Sequence, residues 1–164
     1  LIIDLRGNGG GDSKCGSYLI EHFANSPYCY WPSDSTATWQ KDLHNTIQPN
    51  KNRFRGTPYV LIDGGGFSTT GHVCSIIKEH QFGILVGEEL GSTYTCNDNS
   101  LFGTLKHTSF QYRIPRTTFT TCANSFPKNK GILPDIEVLP TINDIVKKTD
   151  PQMKYVMEQI EINR

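Results

Sequence analysis

The chain has 164 residues, sixteen acidic and sixteen basic, and a formal net charge of zero. That balance, without a polybasic run, speaks against nucleic acid and anionic membrane surfaces as partners, and no apolar stretch approaches the ~20 residues a transmembrane helix needs. The length fits one domain, residues 1–164, with a substantial core of its own.

Residues 1–5 form an apolar strand that runs into Gly7, Gly9, Gly10 and Gly11. A helix is predicted over 13–23, capped by Asp12 or Ser13, with Cys15, Tyr18, Leu19 and Phe23 on one face. The glycines are packed too closely for a G-x-G-x-x-G dinucleotide loop, and no Gly-Lys-Ser/Thr ending follows. Such a turn also exposes backbone N–H groups able to hold an oxyanion. Residues 25–56 show no period and carry Pro27, Trp31, Pro32, Trp39 and Pro49. They read either as a long excursion near the active face or as a flexible surface insert.

A second apolar strand, 58–62, leads into Asp63-Gly64-Gly65-Gly66-Phe67-Ser68. Val73, Ile76 and Ile77 then recur at helical spacing, predicting a helix over 69–80. A third strand follows at 83–87. Unbroken apolar strands alternating with helices predict a parallel sheet covered on both faces. Residues 92–100 read as a polar loop, 101–121 as β structure, and 136–139 as a short strand ended by Pro140. Two C-terminal helices are marked by Ile142, Ile145 and Val146, and by Met153, Val156, Met157 and Ile160, with the methionines read as core.

Ser68 stands where a strand turns into a helix. A serine there is exposed on a tight bend, and the helix N-terminus behind it favours developing negative charge. The G-x-S-x-G spelling of a hydrolase elbow is absent, so Ser68 reads as a nucleophile or as a helix cap.

The two glycine loops together resemble peptidase family S41, the carboxyl-terminal-processing, tail-specific and tricorn-like serine proteases. Leu1 to Gly11 resembles the family's strand and Asp-Leu-Arg-x-Asn-x-Gly-Gly loop, and Asp63 to Gly71 its nucleophile segment, with Ser68 at the reactive serine. Ile84-Leu85-Val86-Gly87-Glu88 resembles the following strand, and Lys130 to Val138 the late Gly-Ile-x-Pro-Asp strand. The resemblance implies an α/β fold of the ClpP/crotonase type and peptide-bond hydrolysis of a peptide or protein substrate through an acyl-enzyme on Ser68, with no cofactor. It implies an oxyanion hole from the N–H of Thr69 and of Gly9 or Gly10. It also favours an exported protein, whether periplasmic, cell-surface or secreted.

The chain departs from that pattern. The better-known members pair the serine with a lysine just past the Gly-Glu strand, yet no lysine lies between Lys78 and Lys106. Lys78 is ten residues along the same helix, on the order of 15 Å from Ser68. The tricorn-like branch uses a histidine upstream, so the domain is expected to be truncated at its N-terminus and the general base to lie outside it. Gly71 stands where the family often has Glu.

Among the histidines, His72 lies one turn after Ser68 and is expected to be a surface or partly buried residue rather than the base. His107 could approach only through the fold, and His22, His44 and His80 read as helix-end or loop residues. Neither the histidines nor the cysteines show the spacing of a metal site. Cys15 and Cys74 read as small core residues, and a bridge among Cys29, Cys96 and Cys122 is possible. Two other functions stay open: a non-catalytic binding domain of the same fold, and a crotonase-type acyl-CoA enzyme.

Overall fold

The computed structural model describes residues 1–162. Four strands, β1 (Ile2–Asp4), β2 (Tyr59–Ile62), β3 (Ile84–Gly87) and the later β8 (Ile136–Glu137), form one parallel sheet in the order β1-β2-β3-β8. Helices α1 (Ser13–Glu21) and α2 (Thr69–Glu79) cover one face of it, and α4 (Pro151–Ile162) the other. Alternate residues of the same strands serve the two faces: Val60, Ile62 and Leu85 join the α1/α2 core, while Leu61 and Val86 pack with Val156 of α4. Burial on both sides is why these strands read as continuous apolar runs.

The sequence-derived face of α1 is rotated in the structure. Tyr18 and Cys15 are exposed, and the buried positions are Ser13, Gly16, Ser17 and Ile20. Close approach of α2 is the cause: a Cβ on Gly16 would lie 2.8 Å from Val73 Cγ2. Small residues face the partner helix along with Ile20, and Tyr18 is turned outward.

Residues 25–56 are part of the core. Tyr28, Tyr30, Trp31, Ala37 and Leu43 are buried in the main apolar cluster. Tyr28 pairs with Ile47, Thr36 Oγ1 donates to the Thr118 carbonyl at 2.8 Å, and a disulfide joins Cys29 to Cys122. Cys74 is buried and Cys96 partly so, both with free thiols.

Within the expected polar loop lies a strand, β4 (Thr95–Asp98), antiparallel to β7 (Thr117–Thr120). Between them β5 (Leu101–Thr104) and β6 (Gln111–Ile114) make a separate antiparallel pair. β4 escapes an apolar pattern because three of its four cross-strand partners are threonines, Thr120, Thr118 and Thr117, and only Cys96 faces an apolar residue, Phe119. In the short α3 (Ile142–Lys147), Ile142, Ile145 and Val146 are exposed, and in α4 Met157 is nearly half exposed, so these positions do not form the expected core.

Candidate active site

Parallel pairing of β1 with β2, Asp4 opposite Leu61, brings both glycine loops to the carboxyl end of the sheet. Ligands bind at this end of open α/β sheets. Polar groups stitch the loops together. Asp63 Oδ1 accepts from Gly7 N at 2.8 Å and Gly65 N at 3.0 Å, and the Asn8 carbonyl accepts from Phe67 N at 2.9 Å and Thr70 Oγ1 at 3.0 Å. Thr69 Oγ1 donates to the Gly11 carbonyl at 2.6 Å.

Ser68 occupies the N-cap position of α2 with φ 57° and ψ −124°, and its side chain makes no capping hydrogen bond. A serine gains nothing from positive φ, and such geometry costs on the order of 1–3 kcal/mol. The strained elbow therefore holds a hydroxyl that does not cap the helix. Behind it the Thr69 N–H has no partner among the described residues. Gly10, with φ +88°, is pressed against this peptide: a Cβ there would lie 2.6 Å from Phe67 O, 2.8 Å from Ser68 Cβ and 2.8 Å from Thr69 N. Gly10 N–H donates to Asn8 Oδ1 at 2.9 Å, whereas Gly9 N–H is unengaged among the described residues.

Two cavities flank this junction. One, of about 160 Å³, is mainly apolar and lies between the first loop, α1 and α2, with Leu5, Cys15, Leu19 and Val73 in its walls. The other, of about 290 Å³, contains Ser68, Thr69 and His72 and is walled by Trp31, Trp39 and Phe119, with Asp12, Gln40, Cys96 and Asp98 adding polar groups. Gln40 ties the excursion to α1: its Oε1 accepts from Trp31 Nε1 at 3.0 Å, and its Nε2 donates to Asp12 Oδ1 at 3.0 Å. Asp12 is the observed cap of α1, accepting from Lys14 N.

His72 is 1% exposed rather than a surface residue. The ring sits edge-on to Trp31, with centroids 5.1 Å apart. Burial lowers its pKa to about 4, only slightly offset by the nearby Phe119 carbonyl, and neither ring nitrogen makes a hydrogen bond of normal geometry. Burial likewise pushes the Cys96 thiol up, partly countered by contact with the Ser68 hydroxyl.

The remaining cationic candidates are engaged elsewhere or distant in the fold. Lys78 Nζ binds Asp135 Oδ1 at 2.7 Å and the Leu133 carbonyl. His44 uses both nitrogens on the Pro32 and Ala37 carbonyls, His22 bonds the Tyr18 carbonyl, and His80 stacks on Phe82. His107 is exposed in the turn between β5 and β6.

Ser68, Thr69, Gly9 and Gly10, the residues the sequence points to, meet at one junction. Asn8, the asparagine of the Arg-x-Asn-x-Gly-Gly pattern, organises the first loop by accepting from Phe67 N, Thr70 Oγ1 and Gly10 N. Cys96, Asp98 and Phe119 reach the site only through the tertiary pairing of β4 with β7, which no local pattern carries.

A parallel sheet with two glycine loops meeting at its carboxyl end defines an α/β domain whose site lies between those loops. The chain matches Peptidase family S41 over residues 1–138 and belongs to that family. Similar solved structures include a candidate peptidase from Parabacteroides merdae (18% identity, 97% of this chain and 51% of that one, TM-score 0.63). Others are the photosystem II D1 C-terminal processing protease (18% identity, 87% and 35%, TM-score 0.58) and mature CPAF (15% identity, 94% and 41%, TM-score 0.63). At these identities the likeness establishes the fold, and the chain spans about half or less of each of those proteins. A comparison with curated protein sequences finds no match.

Proposed function

We propose that this domain is the catalytic part of a serine peptidase in which Ser68 is the nucleophile. The observation that carries the reading is Ser68 itself: a non-glycine residue at positive φ, without a capping role, beside a Thr69 N–H that has no partner among the described residues. Ser68 Oγ attacks the scissile carbonyl carbon, and its proton passes to a base. The tetrahedral oxyanion is held by Thr69 N–H and a first-loop N–H, Gly9 being the donor left unengaged while Gly10 is held by Asn8. Collapse breaks the C–N bond, the proton goes to the departing amine, and water then hydrolyses the acyl-enzyme. We place the base outside the described residues: Lys78 and His44 are bonded elsewhere, and His72, although it shares the cavity, is a weak proton acceptor because burial disfavours its imidazolium and lowers its pKa to about 4.

The test is covalent labelling of the full-length protein with a fluorophosphonate, read by intact mass and peptide mapping. One adduct on Ser68, absent from Ser68→Ala, is expected. A folded protein that takes no label would leave a binding domain of this fold and end the peptidase reading.

A further inference from the structure

Resting on that reading, we propose that the cavity beside Ser68 binds a basic side chain, lysine or arginine, of the peptide substrate. Three observations converge. The cavity has aromatic walls, and Trp39, packed perpendicular to Phe119 with centroids 5.3 Å apart, keeps 61% of its surface exposed at the mouth for contact with a cation or its aliphatic stem. Two carboxylates line the same space, and each keeps one oxygen, Oδ2, without a partner among the described residues. Asp12 uses only Oδ1, toward Lys14 N and Gln40 Nε2, and has no ion-pair partner among the described residues, whereas Asp98 pairs through Oδ1 with Arg113 at 2.7 Å, from outside the cavity lining, and with Ser100, and contributes its open Oδ2. No lysine or arginine lines the cavity, and its one histidine, the buried and unpartnered His72, adds nitrogen lone-pair capacity without positive charge at neutral pH. A long aliphatic stem along Trp39 with its charged head between the two carboxylates satisfies all of these groups together.

The pocket can be tested apart from catalysis in the Ser68→Ala protein, which cannot turn over. Tryptophan fluorescence would follow binding of an acetylated, amidated alanine pentapeptide with lysine at its centre, and of the same peptide with norleucine there. Norleucine keeps the aliphatic chain and removes the charge. The expected result is at least about fivefold tighter binding of the lysine peptide, as a desolvated cation on an aromatic wall with carboxylates gives. That preference should fall below about twofold in Asp12→Asn/Asp98→Asn, where asparagine retains the α1 cap. Trp39→Leu should weaken binding of the lysine peptide more than that of the norleucine peptide, and thermal melts confirm that each variant is folded. Equal binding of the two peptides, no saturable binding of either, or a preference that survives the double variant would overturn the proposal. Fluorophosphonate labelling is read separately: a protein that fails to label yet prefers lysine loses the peptidase reading and keeps the cationic pocket.

Discussion

Gly10 and Ser68 are in van der Waals contact across the two loops, close enough that no side chain fits between them. The contact fixes the distance between the nucleophile and the first-loop peptide groups. Gly10→Ala would place a methyl against the backbone atoms of Phe67 and Thr69 while forcing alanine to φ +88°. We expect a loss of about 2 kcal/mol or more in stability and a fall of about 10²-fold in fluorophosphonate labelling. A Cβ at Gly9 meets nothing within 4 Å, so Gly9→Ala should unfold within about 1 kcal/mol of the native protein. Parallel urea melts distinguish the two; equal destabilisation would contradict the packing described.

The strain at Ser68 has its own signature. Ser68→Gly removes the penalty of positive φ, whereas Ser68→Ala keeps it, and neither loses a capping bond. The glycine variant should therefore be more stable than the alanine variant by about 1 kcal/mol, less the extra backbone entropy of glycine. Both should be unlabelled. An alanine variant as stable as the glycine variant would mean that the elbow stores no strain.

His72 predicts an acid-side instability. Its folded pKa of about 4 lies below the ordinary histidine value because burial opposes the charged form. The folded protein thus resists a proton that the unfolded chain accepts. Stability is fully present above about pH 6.5 and falls as pH drops toward 4, by about 3 kcal/mol from this residue. Urea melts from pH 7 to 4.5 should show the decline, and His72→Phe should flatten it. An unchanged slope in the variant would assign the effect to other groups.

The Cys29–Cys122 bridge closes a sequence separation of 93 residues. Replacing both by serine should cost about 2–5 kcal/mol, as loss of a native bridge does. Thiol titration of the unfolded oxidised protein should find three free thiols, and five after reduction, matching free Cys15, Cys74 and Cys96 plus the released pair. A count of five before reduction would refute the pairing.

What the sequence made legible was local. The parallel strands announced themselves because each is buried on both faces, and Ser68 stood out because its strand, glycines and helix are contiguous. Three features were hidden by long-range contacts. The buried face of α1 follows from how closely α2 approaches at Gly16, a distance no periodicity encodes. The burial of His72 depends on Trp31 and Phe119, forty or more residues away in either direction. β4 carries no apolar alternation because its partner strand supplies mostly threonines, with Phe119 alone facing Cys96. Residues 25–56 lacked a period for a related reason: they are held by single anchors, Trp31 to Gln40 and Thr36 to Thr118, rather than by a regular face.

Gly71 lies where a Cβ would run into the Thr93 carbonyl and the Ser92 side chain. The segment after β3 therefore occupies the volume that a glutamate at this helix position would need. A side chain at position 71 is thus excluded by the path of residues 92–93 as they stand. A glutamate at position 71 asks residues 92–93 to move, so Gly71→Glu should be strongly destabilised unless the segment after β3 takes another path.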